Sequence, residues 1–148
     1  MKRALVTGCS RGIGHAVASM LVADGWEVLG LSRTPPVGLT ATPPEYRWLH
    51  CDLSADQPRT MLKIISGRLD RLDALVHCAA IQGPVEPLAD CNPDEWARTI
   101  AVNLIGTYHV VKAFLPLLHR SDDGRILLFS GGGAFNPRPE HTAYAASK

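Results

Sequence analysis

The stretch TAYAASK sets Tyr144 and Lys148 four residues apart, a spacing that puts both side chains on one face of a helix. An ammonium beside a phenol suits acid–base chemistry. A free Tyr has a pKa of about 10 and is a slow base near neutral pH, and a nearby positive charge stabilises its phenolate. A second chemical signal lies near the start of the chain, in VTGCSRGIGHA, where Gly8, Gly12 and Gly14 stand between an apolar run and a helix-period segment. Glycines in that setting let the backbone turn sharply and come close to a diphosphate, whose charge the following helix N-terminus stabilises. The second apolar run closes on LSRT, where a site for NAD ordinarily carries an acidic side chain for the ribose hydroxyls. Ser32 and Arg33 stand there instead, and Arg11 adds a second positive charge inside the glycine stretch. A guanidinium suits a phosphate, so the pair favours NADP over NAD, although each arginine taken alone also fits a solvated surface position.

These groups need elements to position them. Short aliphatic or β-branched runs at residues 4–7, 27–32, 46–51, 74–78 and 125–130 read as strands, and several are continuously apolar, as a parallel sheet covered on both faces requires. Between the first two, IGHAVASMLVADG sets Ile13, Val17, Met20 and Leu21 on one stripe and stops at Gly25. A weaker helix runs through PRTMLKIISGRL. The βαβαβ order predicts an α/β fold with a doubly wound, Rossmann-type parallel sheet in a single domain over residues 1–148. The best-marked helix opens at NPDEW, with Asn92 as N-cap, Pro93 at the first helical position, and Asp94 and Glu95 placed favourably for the helix dipole. From Thr99 to Leu118 it is apolar on all sides apart from Asn103, Thr107, Tyr108, His109 and Lys112, so two of its faces must be covered. The sheet covers one. A partner subunit of a homo-oligomer, docked along the helix from Asp94 to Leu118, or the interior of a larger monomer covers the other, and the sequence supports both equally. Residues 34–44, TPPVGLTATPP, read as an extended surface loop.

Composition narrows the function classes. The chain has 148 residues and a formal net charge of +1 with its basic residues scattered, which suggests neither a nucleic-acid surface nor a polybasic membrane surface. The apolar run after Met1-Lys2-Arg3 is too short for a signal-peptide core, and no stretch reads as long and apolar enough to span a bilayer, so a cytoplasmic chain is expected. Cys9, Cys51, Cys78 and Cys91 lack C-x-x-C spacing and are expected to be reduced. His50-Cys51 and His77-Cys78 would end strands about 14 Å apart across three strand spacings, too far to share a metal, and no metal site is expected.

With TGCSRGIG near the start, CDL after the third strand, AVNLIGTYHV within the long helix and YAASK at the end, the whole chain resembles the classical short-chain dehydrogenase/reductase family. The resemblance implies an NAD(P)-dependent oxidoreductase that moves a hydride between nicotinamide and a small-molecule carbonyl or secondary alcohol. It places Thr7, Gly8, Ser10, Arg11, Gly12, Ile13 and Gly14 in the phosphate loop, Ser32 and Arg33 at the second strand's end, and Asp52 and Leu53 beside the adenine. Cys78, Ala79 and Ala80 form the segment near the adenosine. Asn103 matches the family's mid-helix Asn, associated there with a water that links the Lys to solvent; Tyr144 matches the acid/base, and Lys148 its tuner, which also reaches the nicotinamide ribose, and the resemblance counts all three among the cofactor contacts as well.

Three departures stand out. Cys78 and Ala80 replace the Asn and Gly usual after the fourth strand. Ser130 lies one residue farther from the Tyr than the family's catalytic Ser, whose position falls on Gly131, so the carbonyl-polarising group is either Ser130 or a backbone N–H of residues 131–133. Family members also continue past this Lys through two further strands, and the resemblance therefore predicts a fragment, inactive alone, with an open apolar edge at RILLFS and a Tyr/Lys pair that lacks support. Two other readings compete: a module that holds a dinucleotide without turnover, and an interaction subunit that pairs through its long helix.

Overall fold

The computed structural model describes residues 1–37, 45–54 and 58–148; most of the Pro-rich loop, residues 38–44, lies outside the described residues. The apolar runs form β1 (Arg3–Thr7), β2 (Glu27–Ser32), β3 (Tyr46–His50), β4 (Ala74–His77) and β5 (Arg125–Leu128). All four pairings are parallel, in the order β3-β2-β1-β4-β5, so the chain winds outward in both directions from β1 and forms the expected doubly wound sheet. His50 on β3 and His77 on β4 are separated by two intervening strands.

Alternation along the strands sends their side chains to two cores. Leu5, Leu31 and Leu75 pack with Leu62 and Ile65 of α2 (Pro58–Ser66) and with Val110, Phe114 and Leu117 of α4 (Gly106–Leu118). Ala4, Val6, Val28 and Val76 pack on the opposite face against Ala18 of α1 (Gly12–Ala23). The buried stripe of α1 differs from the one the sequence suggested. Ile13 and Met20 are 59% and 67% exposed, while Gly14 and Ala18 are buried and Val17, Leu21 and Val22 flank them. Small residues win that face because the helix crosses close to the backbone of the phosphate loop.

The long helix begins as expected: Asn92 Oδ1 accepts the Asp94 and Glu95 amides at 2.9 and 3.4 Å, and Pro93 occupies the first turn. It runs as α3 (Pro93–Ile100), a π-helical turn (Ala101–Ile105) and α4. One expectation is corrected here. By length and composition this 26-residue helix is long and apolar enough to cross a bilayer; its inward face at Val110, Phe114, Leu117 and Leu118 is nevertheless core, packed on the sheet. On its other face Leu104, Ile105 and Tyr108 are roughly half exposed. Among the described residues β5 is the outermost strand on its side of the sheet, with Ile126, Leu127 and Leu128 exposed.

At the amino ends of the strands, Asp73 ties three segments together. Its Oδ2 accepts the Arg3 amide at 2.8 Å, its Oδ1 accepts the Ser121 hydroxyl at 2.6 Å, and Arg71 Nε lies 3.3 Å away. Burial pushes this carboxyl's pKa up, but the bonds from Ser121 and Arg3 and the charge of Arg71 outweigh burial and hold it below the ordinary carboxylate value. A folded-state pKa below the unfolded one, about 3.9, means that the ionised group contributes stability above that pH and loses it as pH falls through the folded value. Asp73→Asn is therefore expected to cost about 1–3 kcal/mol in urea unfolding at neutral pH, with the deficit shrinking in acid. A deficit independent of pH would contradict this reading.

Candidate active site

The carboxyl ends of β1, β2 and β4 open into a cleft of about 670 Å³. Its floor is the glycine loop. Gly8 and Gly12 have φ of +66° and +58°, conformations that favour glycine. A Cβ on Gly8 would stand 2.8 Å from the Ala79 nitrogen, and one on Gly14 would collide with the Gly8 carbonyl. Backbone therefore lies directly on backbone, and the first turn of α1 is seated against it. Arg11, the N-cap of α1, makes no side-chain cap bond, so the first helical amides lack a side-chain partner and present donors to an anion.

Of the expected cofactor residues, Thr7, Gly8, Ser10, Arg11 and Gly12 line the floor. Ser32 and Arg33, then Asp52 and Leu53, line one wall, and Cys78, Ala79 and Ala80 the other. Ile13 faces solvent, Gly14 lies beneath the floor, and Asn103, Tyr144 and Lys148 are not on the cleft walls. Sequence reasoning missed Leu31, Thr34, Cys51, Ile81 and Val102, which also line it. Each adjoins a chosen residue in the sequence, so widening each motif by one residue would have found them.

The rim's polar groups divide the work. Ser32 is buried and its hydroxyl is committed, donating to the Thr34 carbonyl at 2.6 Å and accepting Trp48 Nε1–H at 2.8 Å. Arg33 is exposed and makes no ion pair among the described residues. Burial raises the Asp52 carboxyl, but the Ser54 hydroxyl and amide on its Oδ1, with the charges of Arg33 and Arg98, hold it below the usual range, so it faces the cleft as an anion.

Tyr144 lies on α5 (Thr142–Ala146). Five residues do not make a stable helix in isolation, and the Tyr/Lys pair was expected to lack support. The structure corrects that expectation, because tertiary bonds hold α5 at both ends. Trp96 Nε1–H donates to Thr142 Oγ1 at 3.1 Å, and Asn103 Nδ2 donates to Ser147 Oγ at 2.9 Å, which donates to the Tyr144 carbonyl at 2.8 Å. Ala143 is wholly buried between these ties. Asn103 is itself fully engaged: its Oδ1 accepts the Ile81 amide and its Nδ2 donates to the Ile81 carbonyl, both at 2.8 Å. Its side chain thus clamps the segment after β4 to α5. It sits in the π-helical turn, a local widening common at functional sites.

Lys148 Nζ stands 5.6 Å from the Tyr144 ring centroid and donates to the Phe129 carbonyl at 3.1 Å. Burial lowers the pKa of this ammonium. The Arg138 guanidinium, which sequence reasoning did not single out, lies 5.8 Å from the same ring. Ser130 is exposed and makes no hydrogen bond among the described residues. Gly131 lies against the Tyr144 ring itself: a Cβ there would stand 2.6 Å from Cε1 and 2.7 Å from Oη. On the cleft wall, burial and then the charge of Cys9 push the Cys78 thiol up to about 11, against the pull of Lys148.

Residues 2–148 match the short chain dehydrogenase family. The chain is 31% identical over 154 residues to the uncharacterized oxidoreductase YciK of Escherichia coli K12, covering 97% of this chain and 61% of that protein. It is 32% identical to ketoacyl reductase 2 of the granaticin polyketide synthase of Streptomyces violaceoruber, covering 97% of this chain and 60% of the relative. Among solved structures, one from Escherichia coli CFT073 complexed with NADPH superposes with a TM-score of 0.88 at 30% identity, covering 99% of this chain and 65% of the other. The ligand-free aldohexose dehydrogenase of Thermoplasma acidophilum superposes with a TM-score of 0.85 at 31% identity, covering 99% and 55%. The chain thus spans about three fifths of the length of these curated relatives.

The contact at Gly131 has a direct consequence. Gly131→Ser, which places a serine at the family's usual position, is expected to displace the Tyr144 ring and to destabilise the fold by about 1–3 kcal/mol. The readouts are the urea midpoint and the Tyr144 ring resonances. Unchanged resonances would show that the loop yields freely and that Gly131 does not constrain the ring.

Proposed function

The chain belongs to the short-chain dehydrogenase family, and from that premise we propose that it takes part in hydride transfer between NADP(H) and the carbonyl or secondary alcohol group of a small molecule. The observation that carries the reading is a cleft whose floor is bare backbone at Gly8, together with a Tyr144–Lys148 pair that Asn103 ties to Ile81 on the cleft wall. The residues present fit a phosphorylated dinucleotide. Unpartnered first-turn amides of α1 suit the diphosphate, and the exposed Arg11 and Arg33 suit a ribose phosphate. The solved relative complexed with NADPH supports the same choice.

NADPH, when bound, supplies the hydride. The chain's own residues manage the proton. During reduction the Tyr144 hydroxyl gives its proton to the substrate oxygen as charge develops there, and in the reverse direction the phenolate takes it back. The Lys148 ammonium, held near the ring by the Phe129 carbonyl, meets the negative charge left on the phenol oxygen. The Ser130 hydroxyl or a backbone N–H of residues 131–133 polarises the substrate carbonyl. The half-exposed Leu104, Ile105 and Tyr108 on the long helix support a homo-oligomer through that face.

Turnover is tested by following loss of NADPH with a panel of ketones, aldehydes and 3-oxoacyl thioesters. Tyr144→Phe is expected to lower kcat by about 10²–10⁴-fold and to leave NADPH affinity within about twofold. Turnover that survives this substitution unchanged would remove Tyr144 from its role. Sedimentation of the same preparation as a monodisperse monomer would remove the oligomer.

A further inference from the structure

His77, the last residue of β4, is buried at 5% exposure, and neither of its ring nitrogens is idle. Nδ1 lies 2.9 Å from Oγ1 of Thr7, the last residue of β1, and Nε2 lies 2.9 Å from Oγ1 of Thr107 on α4. Counting protons fixes the direction of every bond. The single hydroxyl proton of Thr107 goes to the Asn103 carbonyl at 2.5 Å, so towards His77 this hydroxyl can only accept, and Nε2 must carry the ring proton. A neutral imidazole has one N–H, which leaves Nδ1 as an acceptor for the Thr7 hydroxyl; that oxygen in turn accepts the Ala79 amide at 3.2 Å. A second ring proton would leave the Thr7 hydroxyl without an acceptor and add a positive charge that the Lys148 charge opposes. Burial first, and the Lys148 charge second, lower the His77 pKa to about 4, in accord with this count.

Resting on the oxidoreductase reading above, we propose that His77 is a positioning residue that ties the phosphate loop at Thr7 to the π-helical turn at Asn103, and so to the segment bearing Tyr144 and Lys148. The path is continuous. Thr7 adjoins Gly8 on the cleft floor, and His77 bridges Thr7 to Thr107 with one nitrogen on each side of a rigid ring. Thr107 holds the Asn103 carbonyl, and the Asn103 amide holds Ile81 and Ser147. An Asn at position 77 would match the δ nitrogen of the imidazole and a Gln the ε nitrogen, and neither reaches both hydroxyls. The bridge therefore requires a ring with two nitrogens, one bare and one protonated.

The tautomer is read in a two-bond ¹H–¹⁵N spectrum of the full chain labelled in its histidines, with His77 identified by the signal that His77→Gln removes. The expected result is a neutral ring protonated at Nε2 throughout about pH 8 to about pH 5.5. A ring protonated at Nδ1, or an imidazolium in that range, would overturn the proposal on the unmutated protein. Coupling is read from exchange of the Ile81 amide, which Asn103 Oδ1 accepts. Thr107→Val is expected to speed it about tenfold and Thr107→Ser to return it to the wild-type rate. Equal rates in the Val variant and the wild type would break the link between His77 and Asn103. Neither measurement uses NADPH. Failure to bind NADPH would strike the functional reading and leave this one standing, and a wrong tautomer would do the reverse.

Discussion

The approach of the Gly8 backbone to the residues that follow β4 sets the spacing on which both ends of the site depend. With no side chain at Gly8, the loop rests on Ala79, and three strand ends are drawn together there. Gly8 N–H donates to the Leu31 carbonyl at 2.8 Å, reaching β2, and Cys78 N–H donates to the Thr7 carbonyl at 3.2 Å, reaching β4. Two residues beyond Ala79, Ile81 meets Asn103, and Asn103 meets the helix that carries Tyr144. A larger residue at position 8 would lift the loop from β4 and loosen the chain of contacts that ends at the phenol.

Packing supplies the rigidity that these polar contacts need. The sheet is covered at its centre by two apolar layers, one under α2 and α4 and one under α1, so β1 and β4 present their carboxyl ends from a fixed base. Buried hydrogen bonds are worth little net in folding, yet each is costly to leave unmade, and that asymmetry makes them selective for one arrangement. Thr7, His77, Asn103 and Ser147 are all buried and all bonded. The helix with Tyr144 is too short to hold itself and takes its order from Trp96 and Asn103, in keeping with the general rule that tertiary contacts carry most of a helix's stability.

Local chemistry was legible in the sequence wherever it repeats or punctuates. Continuous Leu and Val runs gave away the strands, Asn92 and Pro93 marked the start of the long helix, and Gly8 and Gly12 stood where positive φ is needed. Contacts between distant residues left no such pattern. Nothing in the spacing of Trp96 or Ser147 announces that they hold the Tyr144 segment, and the His77 bridge joins residues separated by 70 and 30 positions. The stripe on α1 misled because periodicity finds an apolar face without saying how close the neighbour comes; the nearness of Gly8 selects Gly14 and Ala18 over Ile13 and Met20. Gly131 is the same lesson at the site, where the space a serine would take is filled by the Tyr144 ring.

The proposed function rests on the cleft taking a dinucleotide that carries a ribose phosphate. Titration of the chain with NADPH and with NADH, side by side and at fixed salt, tests it most directly. The account predicts that NADPH binds at least about tenfold more tightly and that Arg33→Ala removes most of that preference, since one charge-assisted contact is worth about 1.5–3 kcal/mol. Binding of neither nucleotide, or equal affinity for both in the wild type, would contradict it.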